Sequence, residues 1–208
     1  MIETRMVTAD DPRAVREALA VLRAGGLVAF PTDTVYGVGS LAFDDQAIER
    51  LFKAKERAQS KAIAVLIGEI RQLSRVAGQV TPAALRLARR FWPGALTLVV
   101  ASHPDLPHNL SPQPTIGVRM PDHAFARALL RRAGPLATTS ANLSGGANPR
   151  NAQDVLAQLV GRVELVIDGG EVPGGIPSTV VDCTQDLPKI LREGAITEGA
   201  IRALFTKH

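Results

Sequence analysis

The sequence predicts an α/β protein with an open, twisted, mixed sheet flanked by helices, and three observations support this. The chain has 208 residues, 46% of them hydrophobic, which suffices for a full core. Apolar β-like runs alternate with helical patterns along most of its length. Three β-like runs then follow one another at 164–167, 178–183 and 189–192, which favours a mixed sheet over a purely parallel one. We expect one domain over residues 1–208.

Capping residues delimit the first helices. Gly25-Gly26 ends the first helical pattern, and Asp44 can cap a second helix that stops near Arg57. Thr81-Pro82 opens a third, which Trp92-Pro93-Gly94 ends. Further helices are predicted at 122–132 and 151–160 and from residue 197 onward, and further strands at 27–30, 63–67, 96–100, 115–120 and 136–139.

Polar, glycine-rich segments at 31–37, 140–146 and 169–178 lie mostly between a strand and the next element. Ligands of open α/β sheets bind in such strand-end loops, so we expect site residues there. Residues 31–40 are predicted to form a loop. Within it, Gly37–Ala42 matches G-x-G-x-x-A, yet it follows the strand by six residues and opens no helix, which argues against a dinucleotide-binding turn. A Walker motif is absent, so any ATP must be held without a Walker lysine.

Several classes of protein are excluded by composition. Cys183 is the only cysteine, which excludes a disulfide framework, and we interpret it as a small buried hydrophobe. No run approaches the roughly 20 apolar residues of a membrane helix, and residues 1–13 lack the apolar core of a signal peptide. We therefore expect a cytoplasmic protein without membrane contacts. The formal charge of +4 suits an anionic partner such as a nucleotide or RNA.

Individual charged residues are ambiguous by themselves. Lys55 and Arg57, at a helix end, are on the order of four times likelier to be solvated charges than catalytic groups. Ser140-Ala141-Asn142 is more often a turn than a phosphate contact. Arg119 and Arg192 each end a β-like run, where an arginine either reaches the surface or holds a carboxylate or phosphate.

Taken in order, segments from about Val28 to about Gly194 resemble the YrdC/TsaC family of threonylcarbamoyl-AMP synthases. The family signature, Lys-x-Arg followed far downstream by Ser-x-Asn, is present as Lys55-x-Arg57 and Ser140-x-Asn142. The other matching segments are Phe30-Pro31-Thr32-Asp33-Thr34-Val35-Tyr36-Gly37, Phe91-Trp92-Pro93-Gly94-Ala95-Leu96-Thr97, Arg119-Met120-Pro121, Ile167-Asp168-Gly169-Gly170, Pro177-Ser178-Thr179-Val180 and Leu191-Arg192-Glu193-Gly194. By this comparison we expect the short form, without the carboxy-terminal domain of Sua-type relatives.

The resemblance implies a deep basic cavity and a nucleotidyltransferase that makes threonylcarbamoyl-AMP and pyrophosphate from L-threonine, bicarbonate or carbon dioxide, and ATP. It implies Mg²⁺ with the ATP, although the sequence identifies no metal ligands. It further implies partner proteins that transfer the product to tRNA, giving N6-threonylcarbamoyladenosine at tRNA position 37.

The same resemblance assigns the site residues. The catalytic residues it implies are Lys55, Arg57, Ser140 and Asn142. The ATP-binding residues are Lys55, Arg57, Lys61, Thr115, Ser140, Asn148 and Arg192. The threonine-binding residues are Thr32, Leu66, Arg119, Thr138 and Ser178.

Other functions compete with this hypothesis. Some short family members lack the Lys-x-Arg and Ser-x-Asn residues, and a related module occurs in much longer hydrogenase-maturation proteins. The intact motifs and the length of this chain argue against both. A non-catalytic RNA-binding protein is the alternative from a different class, ranked second because aromatic residues are only 4% and no RNP-like stretch is present.

Overall fold

The computed structural model describes residues 2–173 and 176–206 and has the predicted alternation of strands and helices. The strands are β1 (Arg5–Thr8), β2 (Val28–Phe30), β3 (Gly37–Leu41), β4 (Ala64–Leu66), β5 (Ala77–Gln79), β6 (Leu96–Ser102), β7 (Thr115–Arg119), β8 (Leu136–Ser140), β9 (Leu165–Asp168), β10 (Thr179–Asp182) and β11 (Lys189–Arg192). The helices are α1 (Ala14–Arg23), α2 (Asp45–Ala54), α3 (Leu73–Val76), α4 (Pro82–Phe91), α5 (Ala124–Ala133), α6 (Ala152–Leu159) and α7 (Glu198–Arg202). Within the described ranges, no helix combines the length and apolar character needed to cross a membrane.

All of these strands join one mixed sheet. Its order is β1-β9-β2-β3-β8-β4-β7-β6-β10-β11, and β5 pairs with β6. The pairs β1/β9, β2/β9, β4/β7 and β6/β10 are parallel, whereas β2/β3, β3/β8, β4/β8, β6/β7 and β10/β11 are antiparallel. The prediction of a mixed sheet is therefore confirmed.

The predicted helix caps are present. Asp44 Oδ1 accepts a hydrogen bond from the Ala47 amide at 3.0 Å, and Thr81 Oγ1 accepts one from the Ala84 amide at 3.1 Å. Each bond satisfies an amide that the first helical turn leaves without a partner. Cys183, directly after β10, is buried, and burial raises the pKa of its thiol to about 12, which confirms its interpretation as a small apolar residue.

The loop predicted over residues 31–40 is wrong in its second half, because Gly37–Leu41 forms strand β3 between β2 and β8. Gly37 and Gly39 interrupt the alternation of apolar side chains from which a strand is predicted. They are needed because the neighbouring strand comes close: a Cβ atom would lie 2.9 Å from Thr138 Cγ2 at Gly37 and 2.8 Å from Thr138 Oγ1 at Gly39. The glycines thus serve strand packing and do not form a phosphate-binding turn.

We expect Gly39→Ala to lower the free energy of unfolding by roughly 1–3 kcal/mol, because the new methyl group would also lie 2.9 Å from the main-chain oxygen of Ala137. A paired main-chain oxygen cannot move as a side chain can. Urea denaturation measures the effect, with Gly199→Ala as control, because no atom lies within 4 Å of a Cβ at that helical position. The control should be neutral or slightly stabilising. Equal stabilities of the two variants would contradict the packing argument.

Helices cover both faces of the sheet. Val28 and Leu136 belong to the core cluster that contains α1 and α5, whereas the adjacent Ala29 and Ala137 belong to the cluster that contains α2, α4 and α6. Successive strand residues point to opposite faces, so the two clusters lie on opposite sides of the sheet. The central strands are therefore buried on both faces, except where a cavity opens on the α1/α5 face.

Candidate active site

A cavity of about 240 Å³ opens where the central strands meet the predicted ligand-binding loops. On its floor, Leu66 of β4 pairs with Arg119 of β7, and Ala64 pairs with Thr138 of β8. Leu66 packs in the α1/α5 cluster, which places the cavity on that face of the sheet. The lining residues are Thr32, Thr34, Val35, Gly37, Ala64, Leu66, Thr97, Arg119, Thr138, Thr139, Ser140, Asn148, Pro177, Ser178 and Arg192.

This cavity brings together eight of the thirteen residues assigned from the sequence. The five that were assigned to threonine all line it: Thr32, Leu66, Arg119, Thr138 and Ser178. Three of those assigned to ATP also line it: Ser140, Asn148 and Arg192. The two arginines are the lining residues with a full charge, and the deep basic character of the cavity stays a prediction.

Arg119 is held by the protein on three sides. Its side chain is buried, and its Nε donates to the Gly94 oxygen at 3.1 Å and its Nη1 to Thr34 Oγ1 at 2.9 Å. Nη2 forms an ion pair with the carboxylate of Asp33. Burial lowers the pKa of Arg119, the charge of Asp33 opposes that effect, and the nearby charge of Arg192 adds to it. A second anion would therefore be stabilised here.

Ser178, directly before β10, is oriented by residues of β6 and β11, the two strands that pair with β10. Its Oγ lies 2.8 Å from Thr97 Oγ1, and its main-chain oxygen accepts a hydrogen bond from Arg192 Nη2 at 2.8 Å. No role for Thr97 was predicted from the sequence. The signal it carried was a hydroxyl in the otherwise apolar start of the strand after Trp92-Pro93-Gly94.

Lys55 lies behind the cavity wall, and the composition-based preference for a solvated charge is wrong for it. Its residue is 2% exposed, and its Nζ donates to the main-chain oxygen of Ser140 at 2.5 Å and to that of Asn142. The main-chain oxygen of Lys55 also accepts from the Ser144 amide at 2.9 Å. Burial, with the charge of Arg57 second, lowers its pKa to about 8. The lysine thus fixes the loop that carries Ser140.

Three other predicted ATP contacts also lie outside the lining. Arg57 is half-buried and donates to the Ala62 oxygen at 2.8 Å, and burial lowers its pKa. Lys61 is exposed in the same loop. Thr115 begins β7, roughly 13 Å from Arg119 at the other end of that strand. Their contacts with ATP stay predictions.

Asn142 is the fifth predicted residue outside the lining. Its Nδ2 donates to the Leu143 oxygen at 2.7 Å and to the Gly146 oxygen at 2.8 Å. The side chain is buried, so it shapes the glycine-rich turn after Ser140. A catalytic role for Asn142 stays a prediction.

Tyr36 connects the three glycine-rich segments. Its hydroxyl donates to the Gly170 oxygen at 2.7 Å and accepts from the Gly169 amide at 3.0 Å, while its main-chain oxygen accepts from the Ala141 amide at 2.8 Å. The side chain is fully buried, and burial raises its pKa. Segments far apart in the sequence are thereby held around one cavity, as expected from their positions after strands.

Comparison with known proteins places this architecture in a family. A model of Sua5, YciO and YrdC proteins, described as telomere recombination, matches residues 20–194, which is most of the chain. The chain belongs to the Sua5/YciO/YrdC family. The resemblance inferred from the Lys-x-Arg and Ser-x-Asn motifs is therefore confirmed.

Named members of the Sua5/YciO/YrdC family are similar over nearly the whole chain. Threonylcarbamoyl-AMP synthase of Bacillus subtilis is 42% identical over 97% of this chain and 59% of its own length, and that of Homo sapiens is 37% identical over 94% and 72%. The crystal structure of P. abyssi Sua5 complexed with L-threonine superposes with a TM-score of 0.90 at 37% identity, over 98% of this chain and 60% of that one. The chain thus spans about three fifths of the length of the Bacillus relative.

This family member offers no carboxylate cage for a metal ion in its described part. Among residues 2–173 and 176–206, no three His, Cys, Asp or Glu side chains form a group that could hold one. Asp33, beside the cavity, is engaged by Arg119. The site instead presents hydroxyls, an amide and two guanidinium groups, which suit phosphate and carboxylate ligands.

Proposed function

We propose that this protein is an enzyme, a nucleotidyltransferase that makes threonylcarbamoyl-AMP and pyrophosphate from L-threonine, bicarbonate or carbon dioxide, and ATP. One observation carries the proposal: all five residues assigned to threonine and three of those assigned to ATP line the same cavity. The names of the similar proteins and the L-threonine complex of P. abyssi Sua5 support it.

The reaction forms an N–C bond and then an O–P bond. The neutral amine of threonine attacks the carboxyl carbon: with bicarbonate the C–OH bond breaks and the hydroxide leaves as water with the amine proton, whereas with carbon dioxide one C–O π bond opens and the amine proton is released. A carbamate oxygen then attacks the α-phosphorus of ATP, and pyrophosphate leaves with the electron pair of the broken P–O bond. Holding the amine beside the carboxyl carbon makes the first step effectively intramolecular.

The chain's own residues can position both substrates. Arg119 presents a planar fork to the threonine carboxylate, while Leu66 and Ala64 provide an apolar wall for its methyl group. Ser140 at the end of β8 and Arg192 at the end of β11 can donate to phosphate oxygens as charge develops on them. This division predicts separate threonine and nucleotide subsites in one cavity.

We propose that Mg²⁺ arrives with ATP. Magnesium bound to nucleotides keeps several waters and takes many of its ligands from phosphates, which fits a cavity with hydroxyl and amide oxygens but without a carboxylate cluster in the described residues. The ion would neutralise phosphate charge. The proposal also gives this protein downstream partners, which are proteins that transfer threonylcarbamoyl-AMP to tRNA in the cytoplasm.

We expect the purified chain to release pyrophosphate from ATP, Mg²⁺ and bicarbonate only when L-threonine is present. Mass spectrometry should detect threonylcarbamoyl-AMP. The two controls are a reaction without bicarbonate and a reaction with L-alanine in place of L-threonine. Release without threonine would indicate hydrolysis of ATP to AMP and pyrophosphate. A folded protein that releases no pyrophosphate but binds RNA in a salt-sensitive way would favour the non-catalytic alternative.

A further inference from the structure

The guanidinium group of Arg119 is only partly used by the protein. Nε, Nη1 and Nη2 each donate one N–H, to Gly94, Thr34 and Asp33 respectively. A guanidinium carries five N–H groups, so Nη1 and Nη2 each keep one more. These two are the donors left for a ligand of the cavity.

Asp33 and Arg119 have different relations to the cavity. Arg119 lines it, whereas Asp33 is not among the lining residues, and the Asp33 side chain is only 16% exposed. The carboxylate therefore does not occupy the space that a ligand of the cavity would fill. It also partly balances the buried charge, which would otherwise face only the oxygens of Gly94 and Thr34.

We propose that Asp33 is a positioning residue for substrate recognition, which holds the guanidinium of Arg119 so that its two remaining N–H groups face the carboxylate of the amino-acid substrate. This inference rests on the proposed function. Because Asp33 offsets the charge of Arg119, recognition depends on the direction of two hydrogen bonds more than on net charge. Arg192 has no such partner among the described salt bridges, so the nucleotide subsite should not depend on Asp33.

The test is Asp33→Asn, which keeps the size of the side chain but removes its charge, with Asp33→Glu as the conservative variant. The control is Asp11→Asn, which breaks a two-point Asp–Arg pair with Arg13 at the exposed surface, at 2.8 Å and 3.1 Å. Pyrophosphate release is measured against threonine at saturating ATP and against ATP at saturating threonine. Calorimetry gives the threonine affinity independently of turnover, and thermal unfolding checks the fold.

We expect Asp33→Asn to raise the KM for threonine by roughly 10-fold to 10²-fold, with the KM for ATP within about threefold of the unmodified value. Asp33→Glu should recover part of the loss, and Asp11→Asn should change neither constant. In an Arg119→Lys background, Asp33→Asn should add less than about threefold, because both substitutions act on the same contact.

Three results would overturn the inference: an unchanged threonine KM and affinity in folded Asp33→Asn, an equal rise in both KM values, or full additivity with Arg119→Lys. If Asp33→Asn does not fold, Asp33→Ser decides, because it also removes the carboxylate, and an unchanged threonine affinity in that variant refutes the positioning role. Absence of threonine-dependent release from the unmodified chain refutes the synthase proposal instead, and threonine affinities then still test Asp33.

Discussion

Lys55→Met should lower turnover by about 10²-fold in a protein that remains folded. The ammonium group holds the main-chain oxygens of Ser140 and Asn142, and Ser140 lines the cavity. Without this contact two buried oxygens lose their donor and the loop shifts, and a small displacement of a positioned group has an effect of that size. Steady-state pyrophosphate release measures it. Lys53→Met, on the same helix but exposed, is the matched control and should retain activity.

Lys55→Met also tests whether burial is the cause of the lowered pKa of Lys55. An unfolded chain keeps the Lys55 ammonium protonated up to its ordinary pKa of 10.5, whereas the folded protein releases the proton near pH 8. The folded state therefore gains stability as the pH rises from about 8 to 10.5 and loses that gain as the pH falls from 10.5 to about 8. The gain is roughly 3 kcal/mol.

Urea denaturation at pH 7.5 and 10.5 measures this gain. The stability of the unmodified protein relative to Lys55→Met should rise by that amount between the two pH values. Parallel pH profiles for the two proteins would mean that Lys55 is not desolvated in the folded state. Wild-type turnover in folded Lys55→Met would also remove its role in fixing the loop.

The fold could be predicted where the sequence carries local signals. Caps such as Asp44 and Thr81 and strongly periodic apolar runs gave helices and strands close to their observed bounds. Strand β3 was missed because its glycines are required by Thr138 of a neighbouring strand, a contact between residues almost 100 positions apart. Strands β1 and β5 were not predicted either. They are short and most of their residues are exposed, so they lack the apolar pattern that marks β2 or β9.

Of the candidate site, too, one part could be predicted from the sequence and another could not. Many residues of the motifs line one cavity, because loops after strands of an open sheet meet at its edge. The sequence could not show that Lys55 points into the wall and not into the cavity, since burial of a helix-terminal lysine depends on the loop that covers it. Asp33 and Thr97 were overlooked for a related reason: they act on Arg119 and Ser178, and such contacts exist only in the folded chain.

Arg119→Ala should weaken threonine binding by about 2–5 kcal/mol, because the substrate carboxylate would lose the two N–H groups that remain free on the guanidinium. It should also destabilise the fold, since the carboxylate of Asp33 would lose its partner. Calorimetric titration of threonine in the presence of a non-hydrolysable ATP analogue measures the affinity. Arg13→Ala removes an exposed aspartate-paired arginine and serves as the control.

Arg119→Lys separates charge from geometry at the same position. A lysine keeps the positive charge but has one nitrogen, so it cannot serve Gly94, Thr34 and Asp33 together and still present two parallel donors. If the planar fork determines recognition, this variant binds threonine nearly as weakly as Arg119→Ala, whereas recovery to the unmodified affinity would mean that charge alone suffices. An unchanged affinity in Arg119→Ala itself would move the carboxylate contact to Arg192, the other guanidinium that lines the cavity.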